Sequence, residues 1–120
     1  MQPAVLGEWK AIRDYDFFHK EWQPAREDVT LVLLSDGHYR IVKLGSDDKT
    51  GTFDFDGTAE PKRIVLTEDG DGIVARGIYK IDGDKLTMRA SDKPDVTEFP
   101  TSFDPNDDDA RLALIEFQRK

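Results

Sequence analysis

Apolar and polar residues alternate along most of this chain in short runs, and Gly, Pro and Asp separate the runs. In Thr52-Phe53-Asp54-Phe55-Asp56 the period is two, the pattern of a strand with one buried face. Comparable runs read as strands over residues 6–14, 29–35, 38–44, 62–68, 73–81, 85–91 and 111–119. Asp36-Gly37 and Asp82-Gly83 are hairpin signals, and the first is expected to form a two-residue type I′ turn. Alternation points Tyr39 and Ile41, Phe53 and Phe55, and Leu86 and Met88 to one side of the sheet, together with Ile73, Ala75, Gly77, Tyr79 and Ile81.

Two segments break the pattern. Over residues 14–28, Tyr15, Phe18 and Trp22 have helix-like spacing, Asp16 is a candidate N-cap, and Pro24 stands where a helix would stop. A short helix or compact loop is expected there, between strands one and two. Residues 91–109 carry three prolines and many carboxylates and read as a long connection, with Phe99 and Phe103 expected to pack down on the body. The eight strands follow one another in simple up-and-down order. Closing such a sheet removes its exposed edges, and at eight strands the interior is filled by side chains or holds one small ligand. The expected fold is therefore an all-β, eight-stranded antiparallel barrel spanning residues 1–120 as one domain. In it the first and last strands are neighbours, so Arg119 can lie across the indole of Trp9, beside Gly7.

The Gly7-Glu8-Trp9 opening, with an arginine on the last strand, resembles the lipocalin and wider calycin signature. The blocks "GTFDFDGTAEPKRIVL", "GIYKIDGDKLTMR" and "LIEFQRK" together resemble a lipocalin-like family of unknown function abundant in planctomycete bacteria, over residues 50–119 plus "LGEWK". That resemblance implies a small calycin-like barrel and carries no established activity. It departs from the family pattern in the long loop, where Pro100 is kept but Phe99 stands in place of an expected arginine. The 14–28 segment is also longer and more aromatic than usual.

At 120 residues, with 38% hydrophobic and 35% charged positions, the chain can bury one core beneath a heavily charged surface. A formal net charge of −8 argues against nucleic acid or an anionic membrane as partner, because phosphate binding needs a basic patch. With no cysteine, disulfides, thiol catalysis, iron–sulfur clusters and Cys-type zinc sites are excluded. No apolar run approaches the ~20 residues of a membrane span. The opening "MQPAVLGEW" lacks the basic and apolar regions of a signal peptide, so none is expected in this chain; a cytoplasmic protein and a mature exported domain both fit.

Candidate chemistry is sparse. A zinc site wants three or four converging ligands, and His19 and His38 are the only histidines. Ser35, Asp36 and His38 crowd a tight turn, where turn hydrogen bonding explains them better than catalysis. Asp104, Asn106 and Asp108 imitate an EF-hand, but Asp109 replaces the required glycine and Ile115 stands at position twelve. No catalytic residue, metal or cofactor is expected. The reading is a non-enzymatic module, monomeric or weakly associating, that binds a small apolar or aromatic molecule inside the barrel. Tyr39, Phe53, Phe55, Tyr79 and Met88 would line the site, and Phe18 and Trp22, with Tyr15 and Phe17, would form its lid or a permanent cork. The alternative is a filled barrel serving as a protein-interaction or structural domain, its contacts on the outer sheet or the 91–109 connection. A hydrolase or isomerase working at the barrel mouth is a third reading.

Overall fold

The computed structural model describes residues 5–25, 28–91, 98–100, 102–103 and 113–120. Nine strands occupy them: β1 (Gly7–Asp16), β2 (Glu21–Pro24), β3 (Val29–Leu33), β4 (His38–Lys43), β5 (Lys49–Asp56), β6 (Lys62–Glu68), β7 (Val74–Asp82), β8 (Lys85–Ser91) and β9 (Ala113–Arg119). All pairings are antiparallel, consecutive strands from β3 to β9 are neighbours, and β1 pairs with β9 to close the sheet. The fold is a closed eight-stranded up-and-down barrel with one extra strand. β2 pairs with Arg13–Asp16 and β3 with Gly7–Lys10, so the two act as halves of one interrupted strand along β1.

The described residues between strands one and two contain no helix; in place of the expected short helix or compact loop they form a turn at residues 17–20 and the extra strand β2. Tyr15 and Trp22 sit directly opposite each other in the β1–β2 hairpin, rings edge to face at 5.7 Å. The hairpin turns at Lys20, which takes a left-handed backbone at φ 56° without being glycine. The β3–β4 turn also differs from the sequence expectation. A type I′ turn needs positive φ at both central residues, whereas Asp36 lacks it and Gly37 alone has it, at 87°. Gly37 N donates to Leu34 O at 3.1 Å and Leu34 N to His38 O at 3.0 Å, so Ser35, Asp36 and Gly37 form a three-residue loop.

Strand alternation fills the barrel. Trp9, Leu31, Leu33, Tyr39, Phe53, Ile64, Leu66, Tyr79, Leu86, Met88 and Phe117 make one buried cluster, with Ala11, Ile41, Ala75, Ala90 and Ile115 packed against it. Burying each large side chain of this kind is worth roughly 1.5–3 kcal/mol. A register shift between Ala11 and Arg13 reverses the alternation of β1. Trp9 and Ala11 therefore face inward, while Arg13 and Tyr15 face out.

A second packed layer covers part of the outside. Ile78, Arg89 and Leu114 lie side by side on β7, β8 and β9, facing away from the core, and all are buried. The described residues of the long connection make contacts on this side: Arg89 donates to Ser102 O at 3.2 Å, Arg63 stacks on Phe99 at 4.8 Å, and Lys80 sits over Phe103 at 4.9 Å. Phe17 approaches the Arg89 guanidinium at 5.7 Å.

The closing seam is gripped from both faces. Inside, the Arg119 guanidinium lies 4.1 Å over the Trp9 ring and donates to Leu6 O at 2.9 Å, and Trp9 Nε1 donates to Val5 O at 2.9 Å. Gly7 permits this, since its φ is 125° and a Cβ there would stand 2.7 Å from Arg119 Nη1. Outside, Arg13 donates twice to Glu116 Oε2, at 2.9 and 2.7 Å, and lies 4.4 Å over Trp22. Arg119→Ala is expected to lower stability by about 2 kcal/mol and to alter Trp9 fluorescence. Arg119→Lys keeps the charge but not the planar stack and recovers only part of that loss. Urea unfolding measures both, and an unchanged midpoint in Arg119→Ala would remove this contact from the account.

Candidate functional site

Up-and-down order brings three separate pieces of chain to the barrel end where β1 begins. They are Leu6, the Leu34–Gly37 turn after β3, and the last residues of β5. Phe53 N donates to Gly37 O at 2.8 Å and ties the turn to β5. Between the pieces lies a cleft of about 360 Å³, lined by Leu6, Leu34, Ser35, Asp36, Gly37, Phe53, Asp54 and Phe55. Phe53 is buried, at 6% exposure, and Phe55 is 38% exposed, so the pair runs from core to surface. Their rings are stacked, with centroids 6.1 Å apart and planes at 24°. Leu34, at 44% exposure, adds a further apolar residue to the lining. The volume falls at the low end of the range for small-molecule sites, enough for about one aromatic ring with a short substituent.

Of the residues expected to bind the ligand, only Phe53 and Phe55 line this cleft, joined by Ser35 and Asp36, which the sequence offered as turn residues. Tyr39, Tyr79 and Met88 are buried in the barrel core at 5%, 3% and 7% exposure. Trp22 lies on the outer face under Arg13, and Phe18, 89% exposed, stands at the tip of the β1–β2 hairpin, at the other end of the barrel. The bulge after Ala11 is the physical reason, because it turns Tyr15 and its partner Trp22 away from the interior. Gly7, Trp9 and Arg119 sit beneath the cleft end and fix Leu6 through the Arg119–Leu6 hydrogen bond. Leu6, Leu34, Ser35, Asp36, Gly37 and Asp54 were not picked out from the sequence as site residues. The one signal was Leu33-Leu34, two adjacent apolar residues where strict alternation would hide only one.

The chemistry of the cleft is that of an apolar wall with an acidic rim. Asp36 Oδ1 accepts from His38 N at 3.0 Å, and His38 Nδ1 lies 3.2 Å from the same oxygen. The backbone donor at His38 holds the Asp36 carboxyl below the usual carboxylate range, with the imidazole adding to it. Among the described residues, no three His, Cys, Asp or Glu side chains are placed to hold a metal ion. The acidic "PNDDD" segment weighed for calcium lies outside the described residues.

Burial raises the phenol of Tyr39 above its ordinary value of 10.0, with Glu68, Asp69 and Asp71 reinforcing it, and burial followed by Asp56 raises Tyr79. A raised folded-state value means that the stability from these neutral phenols is complete below pH about 10 and is lost as pH rises through the folded values. In an alkaline titration followed at 295 nm, both tyrosines should ionise above pH 10, together with the onset of unfolding. Full ionisation at pH 10 in a folded protein would contradict their burial.

The chain matches no protein-family model, no curated protein and no solved structure.

Proposed function

We propose that this barrel is a non-enzymatic binding module that takes a small apolar or aromatic molecule at its mouth. The observation that carries the reading is the stacked Phe53–Phe55 pair lining, together with Leu6 and Leu34, an open cleft of about 360 Å³. A half-exposed phenylalanine and a half-exposed leucine in one cleft leave apolar surface in water that a flat guest would cover. The proposal moves the guest from the interior, which Tyr39, Tyr79, Leu86 and Met88 fill, to the rim. Kinship with the lipocalin-like family is part of the same proposal, supported by the Gly7–Trp9–Arg119 arrangement at the closed seam.

A second reading, a filled barrel used as a protein-interaction domain, draws on Phe18 at 89% exposure and Leu44 at 80%, both in turns at the opposite end. It expects concentration-dependent association in sedimentation that Phe18→Ser abolishes; a constant monomer at all concentrations counts against self-association there.

The binding proposal is tested with Phe55→Ala. Phe55 is already partly exposed, so the variant should keep the wild-type unfolding midpoint within about 1 kcal/mol. Its affinity for small aromatic compounds, read by thermal shift and confirmed by calorimetry, should fall about tenfold, equivalent to about 1.4 kcal/mol. Saturable wild-type stabilisation that persists unchanged in Phe55→Ala would place the guest elsewhere.

A further inference from the structure

The cleft has a charge preference written into its rim, and the inference rests on the binding reading above. Its eight lining residues include two carboxylates, Asp36 and Asp54, and no Lys, Arg or His. We infer that the guest is an organic cation: an aromatic or apolar body seated on Phe55 and Leu34, with an ammonium group directed to Asp36 and Asp54.

Three features converge on this chemistry. Two aromatic rings, Phe53 and Phe55, line the cleft, and an aromatic ring can attract a cation as well as an apolar body. Asp36 is kept in place and ionised by the amide of His38, so its charge is positioned before any guest arrives. It does not have to be ordered on binding, which removes one entropic cost of capture. The cleft also lies in a chain of net charge −8, whose field raises the local concentration of cations and repels carboxylates and phosphates. A neutral aromatic gains only the apolar wall. An anionic one, such as a fatty acid, would meet both rim carboxylates.

The test uses three probes of one shape and different charge: phenethylammonium, 2-phenylethanol and 3-phenylpropionate. They are titrated at pH 8 and low salt into the full chain, following the Phe53 and Phe55 ring resonances. Phenethylammonium should bind about fivefold tighter than 2-phenylethanol, and 3-phenylpropionate weaker than either. Added salt should shrink the difference. In the double variant Asp36→Asn, Asp54→Asn the advantage of the cation over the alcohol should fall to less than about twofold, the rings and the remaining net charge being left in place. Asparagine at position 36 can still accept from His38 N, so the turn is retained. Equal affinities for all three probes in the wild type, or tighter binding of the anion, would overturn the cation inference and leave the binding reading standing. A cation preference that survives the double variant undiminished would overturn its assignment to these carboxylates. If no probe moves the two ring systems, both the inference and the binding reading fail.

Discussion

Everything in this molecule depends on closing the sheet between its first and last strands. An open sheet of eight short strands would leave two unpaired edges and a core exposed at both of them. Closure requires β1 and β9, about a hundred residues apart, to meet in register. Three contacts hold them: the Arg119–Trp9 stack inside, the paired Arg13–Glu116 hydrogen bonds outside, and the backbone ladder between. The Arg13–Glu116 pair is directly cross-strand, and Glu116 is buried, so its carboxylate depends on this partner and on Lys85 Nζ at 3.5 Å. The bulge at Ile12 makes both grips available, since it lets β1 offer Trp9 to the interior and Arg13 to the exterior.

The same closure decides where a ligand can go. Inward-facing aromatics from β1, β4, β5, β7 and β9 occupy the interior, where Trp9, Tyr39, Phe53, Tyr79 and Phe117 belong to one buried cluster. Ala75 and Ala90 pack against this cluster, so large side chains and small ones together form the core. Apolar surface is left over where a strand runs past the packed layers, and Phe55, two residues beyond the buried Phe53, is such a place. The outer layer over β7, β8 and β9 puts the long connection to structural use, with Arg89 as its buried anchor.

Much of this was legible in the residues. Period-two alternation in β5 and β8 placed Phe53, Leu86 and Met88 inward, and the bounds of β6 and β8 coincide with their sequence runs. The aromatic 14–28 segment misled because Tyr15, Phe18 and Trp22 stand at intervals of three and four, which imitates a helix face. Its actual turn has no glycine or Asn-Gly signal, because Lys20 supplies the left-handed residue. The cleft was only half legible. Phe53 and Phe55 could be read from alternation, but Leu6 and Leu34 reach the site through barrel closure and a turn one residue longer than the Asp-Gly pair suggests. No local pattern encodes that meeting.

The central claim is that the barrel interior is packed and that binding takes place at its mouth. The measurement that tests it most directly is a methyl and aromatic NMR map of the protein with phenethylammonium bound. The account predicts shifts and intermolecular contacts at Leu6, Leu34, Phe53 and Phe55, with Ile64, Leu86 and the Met88 methyl unmoved. Contacts from the guest to Met88, Leu86 or Tyr79 would mean that the interior opens to admit it, and would contradict the account.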